Sequence, residues 1–392
     1  MNLRLIKNAE HVEHSELLAK DIILETVYEN SRYPDIKKIR YYIYNVATNE
    51  RYEILPKVHK LNIFKIRDTS LERKYLYITQ YNPREDIFQI VRYDWQTQKA
   101  GLLYRFEEPI DHFFSEKRLS IFVLNENNLL LQTESLRRNM SDNYEGYFDF
   151  SLTLYNRTEN KHYEVVDDNL VRNGITELIP VTDTVCVIKT GYSLFEDDRY
   201  TVLDKMEVSV ESVCLVNVQQ LVSDLIIGQN GIVMDSLDQT YYKQTIPYVR
   251  VEDGYVIYSK IDNENNEENV IFYHAASKKI LSCINRGVVN TERMANPMII
   301  KHKPYIRMNR TKKTDFLNLH TKQVELSFPN EQKVQNVLDD VFIISESKKG
   351  MFGREKVYMS VYKYPSMTIL HSEKCTYENA LLKDDILYIF IS

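Results

Sequence analysis

Apolar and aromatic residues fall in short runs along this chain, and each run is bounded by Asn, Asp, Lys or Gly. KDIILETVY (20–28), NNLLLQTES (127–135), TDTVCVIKT (182–190), DGYVIYSKI (253–261), DDVFIISES (339–347) and DDILYIFIS (384–392) share one outline, a polar turn feeding an apolar strand. RKYLYITQY (73–81) and KPYIRMN (303–309) are looser copies. Shorter apolar runs precede them, as in NIFKI (62–66), PMIIK (297–301) and NALLK (379–383). The pattern predicts strands nearly throughout. One stretch departs: Val218, Leu221, Val222 and Leu225 recur at helical spacing, so a short amphipathic helix is expected there, replacing an outer strand and packing on the sheet.

A second marker repeats. YNVATNERYEIL (44–55) and YNRTENKHYEVV (155–166) share Tyr, Asn, Asn, Tyr and Glu at the same five offsets. Each reads as a hairpin, with Asn suited to the turn and Tyr to the pleated strand. Weaker copies start near 93, 216, 273, 317 and 362, so successive anchors lie 44 to 62 residues apart. The two markers combine into a four-stranded unit: inner strand, apolar strand, tyrosine strand, outer strand. Four-stranded units at this period resemble the blades of a β-propeller. The resemblance covers about residues 20–392 and is to the fold in general. Trp-Asp endings, Gly-Gly pairs and Ser-x-Asp-x-Gly boxes are missing, and Trp95 is the only tryptophan.

The expected fold is therefore all-β: a β-propeller of seven four-stranded blades, with the ring closed by both termini. Residues 1–19 would be an N-terminal extension. Blade 1 would be shared between about 20–57 and 378–392, the C-terminal pair completing it from inside. KDIILETVY competes for the same place, and the stretch 224–252 fits no blade cleanly, so eight or irregular blades are the alternative.

Composition narrows the class. With 43% hydrophobic and 27% charged residues in 392, the chain is globular, and 10 Gly exclude Gly-rich low-complexity classes. No signal-like or membrane-spanning apolar run occurs. Cys186, Cys214, Cys283 and Cys375 are widely spaced, three of them in apolar runs, as buried free thiols would be. A cytoplasmic location is expected, with no membrane association.

Motifs for chemistry are few. There is no nucleophile elbow, phosphate loop or dinucleotide fingerprint. His11 and His14 would share a helix face, but as a solvated segment rather than a metal site. His162, His274 and His320 fall in or beside the repeated turns, and His302 near a strand start. Asp339-Asp340 and Asp384-Asp385 repeat at one blade position, which argues for turns rather than acid–base catalysis. No catalytic residue, metal or cofactor is expected.

The loops between second and third strands hold more signal. In blades 6, 7 and 1 they are basic: NRTKKT (309–314), SKKGMFGREK (347–356) and SRYPDIKKIR (31–40); blade 3 adds SLRRNMSDNYEGY (135–147). Blades 4 and 5 carry acidic stretches at 195–198 and 262–269. The expected function is a non-catalytic scaffold binding a protein partner through this face. Its contact residues would be Arg310, Lys312, Lys313, Lys348, Lys349, Met351, Phe352, Arg354, Arg137 and Arg138, with Met351 and Phe352 as the apolar anchor. The alternative is an enzyme or a small-molecule or carbohydrate binder with its site at the central channel mouth. A net charge of −6 disfavours nucleic acid.

Overall fold

The computed structural model describes residues 2–7, 12–29, 38–55, 64–69, 72–82, 87–105, 117–125, 127–138, 146–191, 211–240, 244–262, 264–265, 267–288, 296–349, 355–383 and 385–391. Its strands form a β-propeller of eight sheets. Seven are meanders: blade 1 over 12–53, blade 2 over 64–105, blade 3 over 117–164, blade 4 over 175–239, blade 5 over 244–288, blade 6 over 296–329 and blade 7 over 332–373. In blade 5 the inner strand is split into Gln244–Thr245 and Val249–Glu252, both pairing with Tyr255–Asp262. Blade 8 has three strands: the hairpin Tyr377–Lys383 and Ile386–Ile391, with Asn2–Lys7 added in parallel to Ile386–Ile391.

This corrects the count of seven and the expected closure. The anchors near 44, 93, 155, 216, 273, 317 and 362 lie in the third strands of blades 1 to 7. Blade 8 has no third-to-fourth-strand hairpin, because its third strand comes from the other end of the chain. Periodicity keyed on that hairpin therefore misses one blade. Residues 2–7 and 12–19 are strands of blades 8 and 1, not an extension. Val12–Ala19 pairs with Ile22–Glu29, taking the inner place assigned above to 378–392.

The chain divides into two compact units, Met1–Lys60 with Asn290–Ser392, and Leu61–Val289. Within each unit, hydrophobic cores lie between successive sheets. In the first, Ile343, Met359, Leu387 and Ile389 fill the seam of blades 7 and 8, and Leu17, Ile23, Tyr388 and Phe390 that of blades 8 and 1. In the second, Tyr77, Ile90, Val123 and Leu129 lie between blades 2 and 3. A middle strand thus buries both faces. Cys186 and Ile188 point to blade 3 while Val187 points to blade 5, so such a strand reads as an unbroken apolar run. Burial of this kind pushes the Cys186 thiol up to about 12, and Cys186, Cys214 and Cys375 are free thiols.

The repeated hairpin letters have a local cause. Asn45 Oδ1 accepts from the amides of Ala47 (3.0 Å) and Thr48 (3.3 Å), and Asn156 Oδ1 from that of Glu159 (2.9 Å). The second Asn of each copy, Asn49 or Asn160, is left-handed, with φ of 58° and 50°. Its side chain accepts from the tyrosine that opens the copy, Tyr44 (2.9 Å) or Tyr155 (3.0 Å). Asp339 and Asp385 also take left-handed turn conformations, φ 52° and 60°, as their turn role predicts.

The helical stripe at 218–225 forms helix α2 (Val218–Ile226), which shares a hydrophobic core with a shorter helix α1 (Asp168–Asn173). Helix α2 does not replace the outer strand of blade 4, which is Asp235–Gln239. It is inserted before that strand. Its buried face packs with Phe122, Leu124, Phe150 and Leu152 of blade 3. No helix among the described residues is long and apolar enough to cross a membrane.

Candidate functional site

Second strands run toward the loops that join them to third strands, the end where successive sheets are also connected. Aligned on the residue that pairs with the last residue of the third strand, the fifth position is Thr26, Thr79, Gln132, Lys189, Ser259, Asn309 and Ser345 in blades 1 to 7. It is polar every time, although Gln132, Lys189, Ser259 and Ser345 are buried. A buried polar group needs a partner. Gln132 accepts from the Ile175 amide (2.6 Å) and donates to the Ile175 carbonyl (3.0 Å), gripping the first residue of blade 4. Ser259 donates to Glu268 on the adjacent strand.

Blade 4 differs, because its fifth residue is a cation. Lys189 keeps 3% of its surface exposed and Glu211, just before the third strand, 1%. The Lys189 Nζ to Glu211 Oε1 distance is 3.9 Å, an ion pair longer than a hydrogen bond. Glu211 Oε2 accepts the Ile246 amide from the inner strand region of blade 5. The Glu211 amide donates to Thr240 Oγ1 (2.9 Å), and Thr190 and Ser212 hydroxyls meet at 2.7 Å. Among the described residues, two buried atoms here have no hydrogen-bond partner: Glu211 Oε1 and the hydroxyl of Thr245, the residue next to Ile246. Burial raises the Glu211 carboxyl above its ordinary value, against the lowering influence of the Ile246 amide and Lys189.

The expected contact residues fare differently. Arg310 and Lys313 are engaged within blade 6: Arg310 Nε lies 2.9 Å and Lys313 Nζ 3.0 Å from the buried carboxylate of Asp315, which also accepts from Ser327 (2.6 Å). Lys312 is exposed. Met351, Phe352 and Arg354 lie outside the described residues, as do the side chains of Arg137, Arg138, Lys348 and Lys349. The acidic stretch 195–198 also lies outside them, whereas Asp262 caps its own loop through the amides of Glu264 (3.0 Å) and Asn265 (3.1 Å).

Among the histidines, His162 stacks on Tyr155 with ring centroids 4.7 Å apart and lies tilted against Tyr104 at 4.6 Å. His274 caps its turn through Ser277 (3.0 Å), and His302 is an exposed turn residue. His14 lies in the strand Val12–Ala19 rather than a helix, and His11 is outside the described residues. Among the described residues no group of three or more His, Cys, Asp and Glu side chains gathers at metal-binding separation.

The Lys189–Glu211 pair escaped sequence reasoning. Lys189 closes an apolar run and reads as the strand's solvent end, and Glu211 lies 22 residues away.

No family model matches this chain, and no curated protein matches its sequence. Solved structures do. Dipeptidyl peptidase 4 of Porphyromonas gingivalis is similar over 94% of this chain and 55% of its own, at 10% identity and a TM-score of 0.54. The chain thus spans about half the length of that enzyme. The β-propeller domain of the Trilobed protease from Pyrococcus furiosus is similar over 93% and 94%, at 8% identity and 0.44. The acylaminoacyl peptidase of Pyrococcus horikoshii is similar over 97% and 64%, at 9% identity and 0.45. At these identities the likeness shows the β-propeller fold. The expected non-catalytic protein-binding scaffold is corrected here, because the first of these structures carries the name of a peptidase.

Proposed function

We propose that this chain is a ligand-binding propeller of the enzyme-associated kind, which takes a small polar molecule at the loop-bearing end of blades 4 and 5. The observation that carries the reading is the buried Lys189–Glu211 pair with open valences at Glu211 Oε1 and Thr245 Oγ1. Ions removed from water are destabilising unless pairing and further hydrogen bonds complete their shells. A 3.9 Å pair leaves both shells incomplete. A small occupant with one donor and one acceptor group would complete them.

The chemistry fits a zwitterion. An ammonium group would meet Glu211 and the Thr245 hydroxyl, and a carboxylate would meet Lys189. Amino acids and short peptides have this form, and the peptide class agrees with the name of the dipeptidyl peptidase whose propeller this fold resembles.

The test is calorimetry and thermal shift of the full chain with a panel of free dipeptides, their N-acetylated and amidated counterparts, and short neutral oligosaccharides. Binding of free dipeptides that is lost on blocking either terminus, and lost in E211Q, supports the reading. Dipeptide binding that ignores both blocking and E211Q, or no binding by any probe, overturns it.

A further inference from the structure

Two Asn-Gly pairs occur in this chain, Asn173-Gly174 and Asn230-Gly231. Asn-Gly is the dipeptide most prone to spontaneous deamidation, because glycine offers no side chain to hinder attack by its backbone nitrogen. At the second pair the fold acts on every atom the reaction needs. The Gly231 amide, the nucleophile, donates to Asp167 Oδ2 at 3.0 Å. Asn230 Nδ2, the leaving group, donates to Asp168 Oδ2 at 2.8 Å, and Asn230 Oδ1 accepts from the Asp168 amide at 3.1 Å. Asp167 itself is 2% exposed and also holds the amides of Ile232 (2.9 Å) and Leu170 (2.9 Å), so it caps helix α1 and fixes the 230–232 turn together. Asn230 is exposed, so water and base reach it.

We propose that Asn230 is a latent deamidation site that Asp167 and Asp168 hold shut. Attack requires the Gly231 nitrogen to give up its proton and bond to Asn230 Cγ. The Cγ–Nδ2 bond then breaks, and ammonia leaves with a proton taken from solvent. Water opens the succinimide to Asp or isoAsp, so the net change consumes one water and releases one ammonia. While Asp167 accepts from the Gly231 N–H, that nitrogen is neither deprotonated nor free to turn toward Cγ. Once the reaction has occurred, the latch cannot reform as it was. A carboxylate replaces the amide donor that faced the Asp168 carboxylate, and two like charges meet at hydrogen-bond distance. The modified chain therefore loses the Asn230–Asp168 tie between the 228–234 loop and helix α1, and keeps the bonds from Asp167 to Gly231 and Ile232.

The test is peptide mapping by mass spectrometry of the full chain after incubation at mildly alkaline pH. Native wild type is compared with wild type unfolded in urea and with Asp167→Ala, whose folding is checked by circular dichroism. We expect conversion at Asn230 to be at least several-fold slower in the native chain than in the unfolded one. Asp167→Ala, if folded, is expected to approach the unfolded rate. Equal rates at Asn230 in native and unfolded wild type overturn the protection, whatever the variant does. Asn230→Asp, which mimics the product, is expected to melt below wild type at neutral pH and to regain the difference in Asp168→Asn/Asn230→Asp. A product mimic as stable as wild type overturns the unlatching.

Discussion

Tyr388 and Asp21 bond reciprocally across 367 positions of the chain: the Tyr388 hydroxyl donates to Asp21 Oδ1 at 2.9 Å, and the Asp21 amide donates to the same hydroxyl at 2.9 Å. Tyr388 is fully buried in the seam of blades 8 and 1, and Asp21 holds the first turn of blade 1 in a left-handed conformation, φ 59°. Arg4, on the parallel strand of blade 8, adds an ion pair to Asp21 at 3.2 Å.

Tyr388→Phe keeps the ring and removes the hydroxyl, leaving the Asp21 amide and one carboxylate oxygen without that partner. The expected loss is about 1–3 kcal/mol. Arg4→Ala removes a partly exposed ion pair and is expected to lose about 1 kcal/mol or less. Urea denaturation of both variants checks the order. Equal losses, or a larger loss for Arg4→Ala, would show that the hydroxyl is not the tie between these blades.

Gly174 ends helix α1 at φ 68° and ψ 167°, a region open in practice to glycine alone. A Cβ there would lie 2.7 Å from the Phe150 ring. Gly174→Ala is therefore expected to cost about 3 kcal/mol or more, combining backbone strain with overpacking. Thermal melting measures it. The double variant Gly174→Ala/Phe150→Leu separates the two causes, since it relieves the contact and leaves the strain.

The parts legible in the sequence were those with a local cause. The hairpin letters at 44–53 and 155–164 were readable because turn geometry dictates them within ten residues. The α2 stripe was readable because a helix face imposes its own spacing. Blade 8 was hidden, since its third strand, Asn2–Lys7, pairs with residues at the far end of the chain and leaves no hairpin to detect. Lys189 and Glu211 were hidden for a similar reason: a charged residue at a strand end looks solvated until a neighbouring blade covers it. The partner of the loop cations Arg310 and Lys313 was hidden too, because Asp315, which pairs with both, reads as an ordinary strand residue.

Glu211 sets a pH dependence whose sign is fixed by its raised value. An acid with a higher value folded than unfolded holds more protons in the native state between the two, so stability falls as pH rises through that window. The window opens at the ordinary value of 4.5 and extends upward. Glu25, buried beside Arg51, is raised by burial in the same direction. Glu211→Gln is therefore expected to gain on wild type in melting temperature as pH rises from 4.5 toward neutrality, with Glu25→Gln as a parallel control. Lys189→Met is expected to lose about 3–5 kcal/mol near pH 7, because it strands the buried carboxylate, and Lys189→Met/Glu211→Gln to recover part of it. A wild-type minus Glu211→Gln difference that stays flat with pH would contradict the burial argument.

Asn2–Lys7 covers the edge of a strand that has nothing exposed. Every residue of Ile386–Ile391 is buried, and residues 2 to 7 pair with 386 to 391 one for one. Without that strand, the outward amides and carbonyls of Ile386–Ile391 face water as a flat apolar edge, the arrangement that recruits strands from other chains. Leu3 and Leu5 also leave the seam of blades 7 and 8, and Ile6 that of blades 8 and 1. Asn2 donates its amide to the Asp385 carbonyl, so in this parallel register the amides of residues 2, 4 and 6 face Ile386–Ile391. Ile6→Pro therefore removes one amide from the ladder. Both Ile6→Pro and deletion of residues 2–7 are expected to shift the chain from a discrete species to concentration-dependent assemblies in light scattering. Adding a synthetic peptide of sequence NLRLIK is expected to reverse assembly of the deletion variant by strand addition at the same edge. Assemblies that the peptide leaves untouched, or a deletion variant that stays discrete, would show that this edge is not what the N-terminal strand protects.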